Sequence, residues 1–263
     1  MPTLIVASRS VVYDRMLCEA ASAAGWSVLA CDAGTMPTAA IEEPVVYVTT
    51  DLALIAARSL NLALIEPPLD LLAELPERFL RRAVEFATFA DLKRLQRRTF
   101  VKPADPLDKW FDAGVYADVR DIRTRGRTSP DSPVLLSEPV EWVAEYRYFV
   151  VEGKVVAGSS YLAFGRPAWK PFDPKRPNAM PTAGLPVVAE LCATLKTKLP
   201  PAFVVDVGLI EDRGWAVVEF NPLWCAGLLG ADPRAVLPVL QRATRRQEEL
   251  RAVDERWIVD RGE

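Results

Sequence analysis

Apolar residues recur in two rhythms along the chain, and the rhythm changes near residue 97. Before that point, short continuous apolar runs alternate with segments of helical period, as in α/β folds whose strands are buried on both faces. Residues 3–7, 26–31, 45–49 and 61–65 read as strands. Residues 12–24, 51–58, 69–75 and 77–89 read as helices. Gly25 ends the first, Asp51 caps the second, and Pro76 separates the last two. Beyond 97 the strands lengthen and pair as hairpins. Residues 100–103 read as an edge-type strand closed by Pro103, and 114–119 and 134–137 follow. Strands 145–151 and 154–161 flank the turn Glu152-Gly153, and 203–210 and 215–221 flank a second turn over 211–214. Residues 165–184 are rich in proline, lysine and arginine without any period, and read as a loop over a site or a surface excursion. Residues 185–199 and 233–253 read as helices, the latter polar and rich in Arg and Glu. The expected organisation is an α/β unit over 1–96 followed by an α+β unit with antiparallel sheets over 97–263.

Composition narrows the chemistry. In 263 residues, 32 basic side chains face 35 acidic ones, a net charge of −3. That balance argues against a chain whose main task is binding nucleic acid, while leaving room for a local basic pocket. No apolar run approaches the roughly 18–20 residues that span a bilayer, and the start carries no basic n-region of a signal peptide. There is no histidine. Ser-His-Asp triads, Cys-His dyads, His-ligated zinc and imidazole bases are thereby excluded. The four cysteines, Cys18, Cys31, Cys192 and Cys225, form no CxxC pair. They read as buried free thiols of a cytoplasmic protein. No GxGxxG follows the first strand, so the dinucleotide fingerprint is absent. The chemistry must rest on Asp, Glu, Lys, Arg, Asn and hydroxyls, with or without a hard metal.

Four segments carry such residues. In the second hairpin, Asp206 interrupts an apolar strand, and Glu219 and Asn221, two apart, share a face of the next. A two-residue turn places Asp206 opposite Glu219, and a four-residue turn places it opposite Asn221. A three-residue turn sends it to the other face. Convergence would make two carboxylates and an amide oxygen a site for Mg²⁺; otherwise these carboxylates pair with arginines on an exposed sheet. Lys102, at the end of an apolar strand, suits a phosphate as a point charge, with Lys109 in reach of the same group; the alternative is a surface lysine. Ser137, Glu138, Pro139 and Val140 form a proline-stopped strand end whose free backbone groups could read an adenine edge while Glu138 takes ribose hydroxyls. It also reads as an ordinary strand–loop junction. Glu145 and Arg147 alternate on one strand face. Arg147 could clamp a phosphate or carboxylate, with Glu145 orienting it or assisting the metal, or the two could form a surface ion pair.

The order of these elements, Lys-Pro, Ser-Glu-Pro-Val, Glu-x-Arg-x-Phe-Val, Asp-Val-Gly and Val-Glu-x-Asn-Pro, resembles the ATP-grasp superfamily. It looks most like the small clade named for two arginines and a lysine. The resemblance covers about residues 97–250, and the preceding α/β segment resembles a pre-ATP-grasp domain. It implies an ATP- and Mg²⁺-dependent ligase joining a carboxylate to an amine, on small-molecule or peptide substrates, through an acyl phosphate. Lys102 would contact the α/β-phosphates. Glu138, Pro139 and Val140 would form the adenine–ribose hinge, Asp206, Glu219 and Asn221 would ligate the metal, and Arg147 would act at the phosphoryl end. A phosphotransferase and a non-catalytic nucleotide-binding module are the competing readings. After Lys102 the glycine-rich phosphate flap of larger ATP-grasp enzymes is missing, so Lys109, Arg123, Arg125 or Arg127 would neutralise phosphate instead. The first unit would supply part of the acceptor pocket through Ser8, Arg9 and Ser10.

Overall fold

The computed structural model describes residues 1–8, 14–36, 41–126 and 128–258. The first unit opens with β1 (Thr3–Ala7), α1 (Arg15–Ala23), β2 (Ser27–Cys31), β3 (Pro44–Tyr47), α2 (Thr50–Ser59) and β4 (Leu62–Leu64). Strands β2-β1-β3 form a parallel sheet, and Leu4, Ile5 and Val6 are buried, as a continuous apolar run requires. Gly25 ends the first helix with φ +81°, a conformation that glycine takes without strain. The helix expected over 12–24 begins, where described, at Arg15. Residues 12 and 13, like Arg9, Ser10 and Arg127, lie outside the described residues.

The next segment departs from the sequence reading. Residues 69–75 form turns. The helix expected over 77–89 is a single turn, α3 (Glu77–Leu80), followed by β5 (Val84–Thr88). Arg81, at φ +52°, adopts the left-handed conformation that closes a helix, and the chain then straightens. Strand β5 joins β6 (Thr99–Pro103), β7 (Gly114–Tyr116) and β8 (Pro133–Ser137) in an antiparallel sheet of order β5-β8-β6-β7. The expected boundary at 96/97 therefore falls inside this sheet. The 100–103 strand is interior rather than edge-type, and Pro103, its last residue, sits where the ladder ends.

Strands β9 (Trp142–Val151), β10 (Lys154–Ala163) and β11 (Arg166–Pro167), helix α4 (Leu185–Thr194), and strands β12 (Ala202–Ile210) and β13 (Gly214–Asn221) follow. The five strands form an antiparallel sheet of order β11-β10-β9-β12-β13. Glu152 and Gly153 make the first hairpin turn, both with positive φ, as expected for a two-residue turn. One face of the sheet buries Tyr148, Val205 and Val207 against α4. At one end of the other face, Phe149 and Val204 pack on α5 (Pro233–Ala243), which also packs on the first unit through Leu4, Val6 and Leu17. The terminal helix expected over 233–253 stops at Ala243. Residues 244–246 form β14 (Thr244–Arg246), which pairs antiparallel with β4. Among the described residues no helix is long and apolar enough to cross a membrane. Cys31 and Cys192 are buried free thiols, whereas Cys18 and Cys225 are only half-buried.

Candidate active site

The second hairpin decides whether the expected metal residues meet. Its pairing starts at Ile210↔Gly214, leaving three residues in the turn. Alone, that turn would put Asp206 and Glu219 on opposite faces. The ladder shifts after Val207↔Val217, so that Asp206 pairs with Glu219 and Val218 is the extra residue of a β-bulge. Turn and bulge cancel, and Asp206 lies opposite Glu219. Asp206 also pairs with Arg147, and Arg147 with Ser159. Glu219, Asp206, Arg147 and Ser159 thus form one row across four strands, with Asn221 and Glu145 on the same face two residues along their strands.

This polar end of the face is densely bonded. Arg147 donates from Nε and Nη2 to the two Asp206 oxygens at 2.8 and 2.7 Å, and from Nη1 to the Gly227 carbonyl at 3.1 Å. Its guanidinium lies 5.2 Å from the Tyr161 ring centre. The Asn221 amide donates to Glu219 at 3.1 Å and to Asp206 at 3.3 Å. Lys102 on β6 reaches across from the other sheet and donates to Glu219 Oε2 at 2.5 Å. The two sheets are joined here by a charge pair, and the cleft between them begins at this pair.

The cleft has a volume of about 370 Å³. Phe100 and Lys102 line one wall, Val218 and Glu219 the other, and the connection from Ser137 through Glu138, Pro139, Val140 and Glu141 to Trp142 closes its end. Gly208 permits this shape, because a Cβ there would stand 2.5 Å from the Trp142 ring. Glu138 is held at the rim by a two-pronged bond from Arg213 at 2.7 and 2.8 Å. Lys102, Ser137, Glu138, Pro139, Val140 and Glu219 thus meet in one cleft, and Asp206, Asn221, Glu145 and Arg147 stand behind Glu219. Lys109 does not join them. It is exposed and offers its carbonyl to Arg125, which pairs with Asp112. Proximity to Lys102 in sequence is lost when the chain leaves the sheet at Pro103. Arg82, Phe100, Val218 and Trp142 were not expected. Phe100 was findable, since it stands two residues from Lys102 on a strand.

Electrostatics separate the carboxylates. Burial pushes the Glu219 carboxyl up, but the Lys102 charge and hydrogen bond, the Asn221 amide and Arg147 outweigh it and hold the group at about 2. Glu145, buried and facing the charges of Asp206 and Glu219, is pushed up to about 7 despite Arg82 and Arg147. Burial disfavours charge on Arg147, and Asp206 more than restores it, so its pKa is raised. For Glu145 the folded value lies above the ordinary 4.5. The folded state then holds the extra proton between those values, and stability falls as pH rises through that window. Glu145→Gln removes the penalty. At pH 8 it stabilises the protein by about 2–3 kcal/mol and flattens the pH dependence between 5 and 7. Urea unfolding midpoints at pH 5 and 8 check this. Equal midpoint shifts at both pH values would contradict the assignment.

A family model for the ATP-grasp domain, the second family of the clade named for two arginines and a lysine, matches residues 79–239, more than half of the chain. The chain belongs to this ATP-grasp family. Solved structures share its fold. D-cycloserine synthetase DcsG is 16% identical, with 92% of this chain and 99% of that chain covered at a TM-score of 0.58. A RimK domain ATP-grasp protein from Sphaerobacter thermophilus is 16% identical over 92% and 99%, at 0.53. N5-carboxyaminoimidazole synthetase from Staphylococcus aureus is 10% identical over 92% and 77%, also at 0.53. No curated protein matches the chain. The family match begins at residue 79 and so takes in β5, as the four-stranded sheet does.

Proposed function

We propose that this ATP-grasp chain is an ATP- and Mg²⁺-dependent ligase that joins a carboxylate to an amine through an acyl phosphate. The observation that carries the reading is the Lys102–Glu219 pair at the inner end of a cleft between two sheets. A nucleotide entering that cleft would place its purine toward the connection 137–142, where main-chain groups and Glu138 are available, and its phosphates toward Lys102. The fold neighbours named as synthetases make ligation the reading to test first.

The donor set fits a hard cation. Glu219 and Asn221 bring a carboxylate and an amide to the cleft, and Asp206 stands directly behind with a second carboxylate. Lys102 and Arg147 supply the positive charge that these carboxylates require. Glu219 and Asn221, with Asp206 behind them, would hold Mg²⁺, whose charge would offset the negative charge of the transferring phosphoryl group. The side chains do the rest by position and charge. Lys102 leaves Glu219 for phosphate. Arg147, fixed by Asp206, faces the transferring phosphoryl group. The substrate carboxylate oxygen attacks the γ-phosphorus, and the bond to the ADP oxygen breaks. The amine then attacks the acyl carbon, phosphate leaves with the C–O bond electrons, and the departing phosphate takes the proton that the nitrogen gives up. No histidine is needed for this sequence, because the leaving groups depart as stabilised anions.

Thermal unfolding with ATP, with and without Mg²⁺, tests the nucleotide part. At a hundred times Kd, ATP stabilises by roughly 2.7 kcal/mol, and the shift at a fixed ATP concentration is larger with Mg²⁺ than without. Release of ADP over pairs of amino acids, small acids and short peptides, with the product identified by mass, tests the ligation. ATP-insensitive unfolding, or a phosphorylated product without an amide, would overturn the reading.

A further inference from the structure

Arg82 is a buried arginine that neither motif nor spacing singles out, yet it touches the feature that assembles the site. It lies between α3 and β5, close behind the left-handed Arg81. Its three hydrogen bonds all end on main-chain carbonyls. Nη1 donates to Leu80 at 3.0 Å and to Val217 at 2.8 Å, and Nη2 donates to Val218 at 3.1 Å. Val217 and Val218 are the two residues at the bulge that restores Asp206 opposite Glu219. A bulge interrupts the ladder and leaves main-chain groups there without strand partners. The guanidinium fork meets two successive carbonyls from two different nitrogens, a geometry that a point charge does not reproduce. The flat group lies 5.0 Å from the centre of the Trp142 ring, and Arg82 lines the nucleotide cleft with Lys102 and Glu219.

We infer that Arg82 is a positioning residue, a clamp that holds the β13 bulge so that Glu219 and Asn221 face the metal-bound phosphates. The inference rests on the nucleotide and Mg²⁺ reading above. Without the bulge, the three-residue turn would leave Val218 opposite Asp206 and turn Glu219 to the far face of the sheet. Losing the clamp therefore weakens the part of nucleotide affinity that depends on the metal and spares the part that comes from the purine end of the cleft.

Calorimetric titration of the full chain with ADP, in Mg²⁺ and in EDTA, separates these parts. Wild-type protein binds ADP more tightly in Mg²⁺. Arg82→Met loses tenfold or more in affinity for ADP in Mg²⁺ and less than threefold in EDTA. Arg82→Lys keeps the charge without the fork and shows the same selective loss, so it carries the test if the methionine variant does not fold. Lys102→Met loses affinity in both conditions, which separates phosphate contact from positioning. Two results overturn the proposal: either Arg82 variant binding as wild type does in Mg²⁺, or an equal loss with and without the metal. Wild-type protein whose ADP affinity ignores Mg²⁺ would instead overturn the metal reading itself, and the clamp with it.

Discussion

Glu219→Ala lowers ATP turnover by about 10³-fold or more while leaving the protein folded. The turnover loss follows from the row of side chains. Glu219 is the carboxylate that both lines the cleft and meets the Asn221 amide, so on the proposed reading its removal takes away the charged ligand of the metal. A divalent ion contributes several kcal/mol to stabilising transferring charge, and each 1.4 kcal/mol is about tenfold in rate. Folding is spared for a different reason. The partner left behind, Lys102, ends on a cleft wall and can turn its ammonium toward water. Glu219→Gln, which keeps the shape and loses the charge, falls nearly as far in rate. Initial rates of ADP release and thermal midpoints measured on the same preparations check both halves. Turnover within a few-fold of wild type would remove Glu219 from the metal site.

The candidate residues were legible where chemistry interrupted a regular pattern. Asp206 stands out among valines, and Glu219 with Asn221, or Glu145 with Arg147, stand out through the two-residue period of a strand. Strand identity was enough to place each pair on one face. Their convergence was not legible, because it depends on two irregularities that compensate. A three-residue turn reverses the register and the bulge at Val218 reverses it back, and neither leaves a mark on the valine-rich sequence. Strand β5 was hidden for a related reason. Residues 77–89 carry a helical spacing of apolar side chains, and only the left-handed Arg81, which no glycine announces, breaks it. Arg82 carries no mark in the sequence, because its burial comes from a hairpin 135 residues away. Lys109 failed in the opposite direction, since nearness along the chain stood in for nearness in space.

Arg147→Met destabilises the protein by about 3–5 kcal/mol, and the loss depends on pH. Arg147 and Asp206 are both buried, facing each other across β9 and β12 with two charge-assisted bonds. Such a pair contributes little over an apolar pair of the same volume, because desolvation offsets attraction. Removing one partner strands the other as an uncompensated charge, and that is the costly state. The two single substitutions differ in their remedy. In Arg147→Met the stranded group is a carboxyl, which can take up a proton. Burial already raises this carboxyl above the ordinary 3.8 with Arg147 beside it, and losing that charge raises it further, so the penalty is greatest at high pH and is relieved as pH falls. In Asp206→Leu the stranded group is a guanidinium, which cannot shed its proton at any accessible pH, so its deficit is not relieved as pH falls from 8 to 5. The double change Arg147→Met/Asp206→Leu strands nothing and recovers most of the stability, although turnover stays lost. Urea unfolding of the three variants at pH 5 and pH 8 reads all of this. A double variant no more stable than the sum of the single losses predicts would show that the two side chains are not coupled, and the row of four residues would then not act as one electrostatic unit.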